Sequence, residues 1–266
     1  MYTSLNLFLL RYLLAFWLSN TAGLTHEGEV KILALGNSIT QGNQEHPSYR
    51  YRLWQKLADA GADVAFVGSE NMNFSGQPAA YGTSYKGRTY TNCHEGHWGW
   101  TADEILQGRR WHGNLARWLQ SYTPDIVLLH LGSNDMLRQC GSGNTCYQET
   151  IEELRQIITL IREKNPHATV LLAQLTPVDE ERFGPAVADH IVQLNKHIPA
   201  LAQEMSTAAS PVILVDQFSG FNPATGADTW DGIHPNARGE EKMAQRWFDA
   251  LMPLLRKIPV EHAATR

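Results

Sequence analysis

Short runs of apolar residues alternate along the chain with longer segments in which apolar positions recur every three or four residues. The short runs contain few polar residues, as is typical of strands buried on both faces of a parallel sheet. Because parallel strands are joined by crossover helices, this alternation predicts an α/β fold. The predicted strands cover residues 30–35, 64–67, 126–131, 169–175 and 212–215.

The longer segments predict helices between these strands. A helix over residues 49–60 is predicted to end at Gly61, since glycine commonly follows the last turn of a helix. The last helix is predicted over residues 236–255, entered through Pro235, a residue suited to the first helical position. Two further helices are marked by apolar stripes, one at Ile151, Leu154, Ile158 and Ile161 and one at Val187, Ile191, Leu194, Ile198 and Leu201.

Residues 69–92 have no clear period and contain Gly, Ser, Asn, Tyr and Pro. A loop of this length is usually either functional or disordered. No linker separates two independently periodic halves of the chain. The sequence therefore predicts one domain over residues 29–256 and a C-terminal tail over residues 257–266.

The composition limits the classes of function. The chain has 266 residues, of which 43% are hydrophobic and 18% charged, enough for one substantial core. A formal net charge of −5 offers no basic surplus for nucleic acid, and no later segment reaches the roughly 20 apolar residues of a membrane span. Nucleic-acid binding and a multi-span membrane protein are therefore excluded.

The N-terminal segment predicts a secretory signal. Residues 7–18 are almost wholly apolar, are interrupted by Arg11, and are followed by small residues at 21–23. Such a run is too short to span a membrane, and small residues after it are typical of a cleaved leader. We expect a signal peptide over residues 1–23 and a secreted protein. An uncleaved anchor and a misassigned start are the alternatives, and neither changes the predicted fold.

The three cysteines predict one local disulfide. Cys140 and Cys146 flank a flexible Gly-Ser-Gly-Asn-Thr stretch, which can bring them to bridging distance and leaves Cys93 free. In the chain-entropy model such a short loop contributes about 2 kcal/mol, so the bridge would hold a loop and not the fold. Zinc is the rival interpretation, although two thiolates supply only half of a site.

Two polar tracts follow predicted strands, which puts them at the carboxyl edge of the sheet, where open parallel sheets bind ligands. Ser38 lies in LGNSIT at residues 35–40, and Asn134 lies in GSND at residues 132–135. The hydroxyl is a candidate nucleophile, and the amide is a candidate donor to a developing oxyanion. Helix capping and turn formation are the structural alternatives. Position 40 lacks the glycine of a G-x-S-x-G nucleophile elbow.

In the tract DGIHP at residues 231–235 a carboxylate precedes an imidazole by three positions. A hydrogen bond from His234 Nδ1–H to Asp231 would fix the tautomer and leave Nε2 to accept a proton. A helix beginning at Pro235 would put its positive end beside His234 and favour the neutral imidazole. An Asp-Gly turn with a capping histidine is the structural alternative.

The tract HEGHWGWT at residues 94–101 is not a metalloprotease motif. Trp98 occupies the position of the second histidine of H-E-x-x-H, and Gly96 disfavours the required helix. A tight loop fits better, with the backbone N–H of Gly99 as a second oxyanion donor. We predict no metal and no cofactor. His94 and His97 are expected to shape the cleft, and the other histidines considered are expected to be solvated or structural, namely His112, His130, His167, His190 and His197.

Together these tracts resemble the SGNH (GDSL-like) hydrolase superfamily, whose blocks run in the same order of serine, glycine, asparagine, and then aspartate and histidine three residues apart. The sequence is most similar to its acetylxylan-esterase-type branch, carbohydrate esterase family three. The resemblance extends over about residues 31–251. Its tracts are GNSIT at 36–40, YRYRLW at 49–54, FVGS at 66–69, HEGHWGW at 94–100, GSND at 132–135 and DGIHPN at 231–236.

The resemblance implies a flavodoxin-like, three-layer α/β/α sandwich around a five-stranded parallel sheet. Ser38 would be the nucleophile, His234 the general base and Asp231 the acid that orients it. The oxyanion hole would consist of the backbone N–H groups of Ser38 and Gly99 and the side chain of Asn134.

The sequence departs from the family at two positions. Asn37 stands where the family usually has aspartate, and we expect an isosteric amide there to preserve the packing. Trp98 stands where the branch often has a small residue, and we expect it to narrow the cleft.

The expected substrate is an acylated carbohydrate, such as O-acetylated xylan, or another small ester. Trp98, Trp100 and Trp230 are candidate sugar contacts, although tryptophan more often belongs to a core. A lipid or lysophospholipid esterase, a general short-chain carboxylesterase and a catalytically silent carbohydrate-binding protein are the alternatives. The polar loop at residues 69–92 does not resemble an acyl-chain lid, and a silent protein would be expected to have lost the serine or the histidine.

Overall fold

A parallel sheet lies at the centre of the molecule, which is known from a computed structural model that describes residues 28–76, 84–138 and 146–256. The strands are β1 (Val30–Gly36), β2 (Val64–Val67), β3 (Ser84–Tyr85), β4 (Arg88–Thr89), β5 (Glu95–Gly96), β6 (Ile126–His130), β7 (Thr169–Ala173) and β8 (Val212–Val215). Five of them form the sheet in the order β2-β1-β6-β7-β8, and every neighbouring pair is parallel. This order confirms the predicted five-stranded sheet. The two-residue β5 also pairs with the end of β1, and β3 and β4 form a separate hairpin.

Helices connect and cover these strands. They are α1 (Ser38–Gln41), α2 (Tyr49–Asp59), α3 (Ala102–Gln107), α4 (Leu115–Trp118), α5 (Ser133–Arg138), α6 (Cys146–Lys164), α7 (Glu180–Phe183), α8 (Pro185–Met205) and α9 (Ala237–Leu255). Single 3₁₀ turns occur at Phe74–Gly76 and Arg110–His112. Within the described residues, no helix is both long enough and apolar enough to cross a membrane.

The two faces of the sheet are covered by separate hydrophobic clusters. Ile32 and Ala34 of β1 belong to the cluster that includes α2 and α9, whereas Leu33 and Leu35 belong to the cluster that includes α3, α6 and α8. Successive side chains of a strand point to opposite faces, so a strand between two helical layers is apolar throughout. The structure is thus the predicted three-layer α/β/α sandwich.

Several element ends differ from the predicted ones. Two of the strands, β6 and β7, end before Leu131 and Leu175. The side chain of Asn195 bonds the backbone of Leu175, accepting from its N–H at 2.7 Å and donating to its carbonyl at 2.9 Å, and so replaces the strand ladder there. At the end of α2, the prediction was correct: Gly61 follows the helix, and its N–H bonds Ala58 at 3.1 Å.

The prediction that Pro235 opens the last helix was wrong. The side chain of Asn236 accepts hydrogen bonds from the N–H groups of Arg238 and Gly239, which makes Asn236 the N-cap and Ala237 the first helical residue. An N-cap residue has extended backbone angles, so Pro235 lies outside the helix. His234 is therefore not adjacent to the first helical turn.

Some predictions concern residues outside the described part of the chain. These are the leader at 1–23, the tail at 257–266 and Cys140, so the Cys140–Cys146 bridge stays a prediction. Cys93 has a free thiol, as expected.

Candidate active site

The end of β1 leads directly into Ser38, the first residue of α1. Asn37 caps this helix, because its Oδ1 accepts the N–H of Ile39 at 3.1 Å. The amide thus performs the structural task expected at this departure from the family. The topology places Ser38 where β1 and β6 lie side by side while their connections leave toward different edges of the sheet, the position at which such sheets bind ligands.

Arg50 holds the other end of α1, and the sequence analysis missed it. Its buried guanidinium donates to the carbonyls of Thr40 at 2.7 Å and Gln41 at 3.0 Å, and to Asn92 Oδ1 at 2.7 Å. The contacts join the helix that begins at Ser38 to the loop that precedes β5. The sequence gives no signal that an arginine in one helix binds the backbone carbonyls of another helix.

The segment between β8 and α9 brings Asp231 and His234 across the sheet to Ser38. His234 Nε2 lies 2.8 Å from Ser38 Oγ, and His234 Nδ1 lies 2.7 Å from Asp231 Oδ2. With Nδ1–H donating to the carboxylate, Nε2 is the acceptor for the serine O–H. The structure thus brings together all three residues of the predicted triad.

Asp231 is held as an anion facing the imidazole. Partial burial acts to raise the pKa of Asp231, but the hydrogen bonds from His234 and the backbone outweigh it and lower that pKa. The Oδ1 atom accepts the backbone N–H of His234 at 2.8 Å and that of Ile233 at 3.2 Å. One oxygen therefore shapes the turn while the other orients the ring.

A glycine is required within this turn. Gly232 has a φ of +89°, and a Cβ there would lie 2.9 Å from the Cβ of Asp179. Its carbonyl accepts the N–H of Asp179 at 2.8 Å, which docks the turn against the start of α7. A larger residue would displace the carboxylate and the imidazole together.

The loop after β5 carries Gly99, which has a φ of +75°. The backbone is anchored on both sides: Trp98 N–H donates to Gln41 Oε1 at 2.8 Å, and the guanidinium of Arg138 donates to the Gly99 carbonyl at 2.8 Å. Neither Gly99 N–H nor Ser38 N–H donates to a protein acceptor among the described residues. Both remain available for a ligand oxygen. The sequence offered no signal for Gln41 or Arg138.

Asn134 is buried at the start of α5, next to the strand that pairs with β1. Its Nδ2 donates one hydrogen to the carbonyl of Trp100 at 2.8 Å, which leaves the second hydrogen available. This contact ties the predicted amide donor to the Gly99 loop. All three predicted oxyanion donors therefore belong to segments at the same edge of the sheet.

His94 and His97 hold the loop from inside rather than lining the cleft. His94 Nδ1 accepts the N–H of Gly96 at 2.9 Å, and its other nitrogen lies 3.1 Å from the carbonyl of Met72. His97 Nε2 lies 2.9 Å from Glu95 Oε2. Glu95 is fully buried and also accepts from Ser69 and Tyr122, so this carboxylate, which the sequence analysis did not single out, organises the loop.

The three candidate tryptophans have different environments. Trp98 and Trp230 line the cleft together with Ser38, His46 and His234. Trp100 is buried in the core instead, so its prediction as a sugar contact was wrong. Its ring packs against His97 and Trp118, with centroids 4.8 and 5.9 Å away. The sequence does not show that the indole of Trp100 packs inside the protein, because the space that it fills is formed only when the chain folds.

A pair of carboxyl groups contacts the segment that follows the Gly99 loop. Asp135 Oδ1 accepts the N–H of Ala102 at 2.9 Å, whereas Asp135 Oδ2 and Glu153 Oε2 of α6 are buried without a donor among the described residues, and the two carboxyl groups interact electrostatically. Burial raises the pKa of Asp135 to about 6. Burial and the nearby carboxylates of Asp135 and Asp103 raise the pKa of Glu153 to about 7. The two acids therefore take up protons as the pH falls through about 7 and then about 6, and between these values they share one proton.

This pair predicts a pH-dependent stability. Both folded-state pKa values lie above their ordinary values, so the stabilisation is complete below about pH 4 and is lost as the pH rises to about 7. Glu153→Gln keeps a donor to Asp135 at every pH. We expect the variant to melt about 2–4 °C above the wild type at pH 7, corresponding to about 1 kcal/mol, and at the same temperature at pH 4.

Thermal unfolding across this pH range measures the effect. Glu152→Gln is the matched control, because Glu152 is the preceding residue of α6 and its side chain is exposed. Its melting curve should follow the wild type within about 1 °C. A constant difference between Glu153→Gln and the wild type at all pH values would contradict the shared proton.

The described residues contain no group of three or more histidine, cysteine, aspartate or glutamate side chains arranged to hold a metal ion. The chemistry available at the cleft is that of a hydroxyl, an imidazole, a carboxylate and N–H donors. This set suits nucleophilic attack on a carbonyl carbon and stabilisation of the resulting oxyanion.

Comparisons with known proteins agree with this geometry. A model of the GDSL-like Lipase/Acylhydrolase family matches residues 34–242. A multidomain esterase of Ruminococcus flavefaciens is 30% identical over 84% of this chain, which spans only 28% of that relative's length. Two solved structures are similar to this chain. Each is 28% identical to it with a TM-score of 0.69, and the match covers 86% of this chain and 100% of the other. One is a carbohydrate esterase family 3 protein from Talaromyces cellulolyticus, and the other is a serine-to-alanine mutant of an acetyl esterase with an acetate ion.

Proposed function

Because the chain belongs to the GDSL-like lipase/acylhydrolase family, a family of carboxylic ester hydrolases, we propose that it is a secreted serine esterase that removes acetyl groups from carbohydrate. The family predicted from the sequence is thereby confirmed. The observation that carries the proposal is the continuous contact from Asp231 through His234 to Ser38. The similar carbohydrate esterase and acetyl esterase structures support the substrate class.

The proposed reaction has two steps. His234 Nε2 takes the proton of Ser38 as its Oγ attacks the ester carbonyl, and the oxyanion is stabilised by the N–H groups of Ser38, Gly99 and Asn134. His234 then returns the proton to the departing sugar oxygen, which leaves an acetylated Ser38. Water attacks this acyl-enzyme with His234 as base, and acetate and free enzyme are released.

The dimensions of the cleft favour a short acyl group. Its volume is about 10 Å³, roughly the room for one water molecule and far below the roughly 300–1,000 Å³ typical of sites that enclose a drug-sized ligand. Trp98 and Trp230 narrow it beside Ser38. An acetyl group would require less widening of this cleft than a longer acyl chain, and the alcohol part of the ester would lie outside it.

Acetate release from acetylated xylan, acetylated chitooligosaccharide and acetylated pectin tests the proposal, with p-nitrophenyl acetate and octanoate as a second pair. We expect xylan to be the best polysaccharide and acetate to be hydrolysed faster than octanoate, with both activities abolished by a serine-directed fluorophosphonate. Faster hydrolysis of octanoate would indicate a lipid esterase instead. Binding to xylan without any ester hydrolysis would indicate a silent carbohydrate-binding protein.

A further inference from the structure

Two tryptophans stack on the imidazole that contacts Ser38. The His234 ring lies 4.7 Å from the Trp98 ring with planes 19° apart, and 5.3 Å from the Trp230 ring with planes 14° apart. These are ring-to-ring distances of stacked aromatic pairs. His234 is thus held at its two nitrogens by Asp231 and Ser38 and through its π-system by two indoles.

The stack extends beyond the two indoles to further rings. Trp98 also stacks on Phe74 at 4.4 Å, and Trp230 also stacks on His46 at 5.2 Å with planes 6° apart. Each indole therefore packs against two protein rings. Side chains restrained in this way can impose an orientation on the imidazole that they contact.

The two kinds of contact restrain different motions. Hydrogen bonds at Nδ1 and Nε2 leave the imidazole free to tilt about the line that joins these atoms, whereas parallel indoles oppose that tilt. When His234 takes the proton of Ser38 it becomes a cation, and an indole face attracts a cation at this distance. This attraction is stronger in the transition state than in the resting enzyme.

We propose that Trp98 and Trp230 are positioning residues for His234, and not platforms on which sugar rings stack. The inference rests on the proposed function, since it assigns the tryptophans a part in the same reaction. It also accounts for a large side chain at position 98, where the branch that the sequence resembles often has a small one.

The two roles differ in their kinetics. A positioning residue acts on every substrate, so its loss lowers kcat and kcat/KM equally, even for an ester without a sugar. A sugar platform acts only by binding, so its loss raises KM for the polysaccharide and leaves the small ester unaffected. Hydrolysis of p-nitrophenyl acetate therefore separates the two.

The test compares Trp98→Leu and Trp230→Leu with Trp98→Phe and Trp230→Phe on p-nitrophenyl acetate. We expect each leucine variant to lower kcat and kcat/KM about tenfold, within the roughly 2- to 30-fold range of cation–π contacts. The phenylalanine variants keep an aromatic face and should retain at least about half of the activity. Trp111→Leu is the matched control, because Trp111 is 94% exposed and lies outside the stack, and it should match the wild type.

Two outcomes would overturn the inference. One is unchanged p-nitrophenyl acetate kinetics in the leucine variants with a raised KM for acetylated xylan. The other is an equal loss in the leucine and phenylalanine variants of proteins whose melting temperatures match the wild type. A wild-type protein that hydrolyses neither substrate would instead contradict the proposed function itself.

Discussion

Replacing Ser38 by alanine is expected to reduce turnover of p-nitrophenyl acetate by about 10⁶-fold. In the proposed mechanism the acyl-enzyme forms on the hydroxyl that His234 Nε2 contacts at 2.8 Å, and no other hydroxyl of the described residues contacts this imidazole. The residual rate would come from the oxyanion donors and substrate binding, which do not require the nucleophile.

The measurement is initial-rate hydrolysis, combined with mass spectrometry for a fluorophosphonate adduct on Ser38. Ser133→Ala is the matched control, because Ser133 is also a buried serine that follows a parallel strand, and its hydroxyl has no partner among the described residues. It should keep wild-type turnover within about twofold. Substantial esterase activity in folded Ser38→Ala would refute the triad.

Asp231→Asn is expected to lower kcat/KM by about 10⁴-fold. The substitution keeps Oδ1, which accepts the backbone N–H groups of Ile233 and His234, so the turn should survive. It replaces the oxygen facing His234 Nδ1 by an N–H donor. The imidazole would then carry its proton on Nε2, and it could no longer accept the proton of Ser38.

Asp216→Asn is the matched control for this variant. The Oδ1 of Asp216 likewise accepts two backbone N–H groups, those of Phe218 and Ser219, both at 2.8 Å. We expect it to retain wild-type kinetics, while both variants melt within a few degrees of the wild type. If Asp231→Asn retained more than about a tenth of wild-type kcat/KM, the carboxylate would not act through the histidine.

The central strands were predictable because a strand that is buried on both faces is apolar along its length, and such a run can be recognised in the local sequence. In β1, β6 and β7 nearly every residue is apolar, and no distant contact is needed to recognise such a run. Gly61 ended its helix as predicted for the same reason, since a helix terminus depends on neighbours in the chain. The sequence did not predict element ends that depend on distant side chains. The end of β7 is an example, because the side chain of Asn195 bonds the backbone of Leu175.

The triad residues were found because each lies in a short tract with a defined relation to a strand or turn. The residues that hold these tracts in place were not found, because they contact segments that are distant in the sequence. They are Arg50, Gln41, Glu95 and Arg138. The aromatic residues show the same division. Trp98, Trp100 and Trp230 were equivalent candidates in the sequence, yet the fold buries Trp100 and stacks the other two on His234.

The sequence by itself determined the strand–helix alternation and the candidates for nucleophile, base and acid, since period, composition and short tracts are local properties of a chain. Only the tertiary structure decided which aromatic rings stack on the imidazole and which side chains hold the Gly99 loop. Those contacts join residues far apart in the sequence, such as Trp98 and His234. Contacts of this kind depend on how the layers pack across the sheet, and packing leaves no periodic signal in the chain.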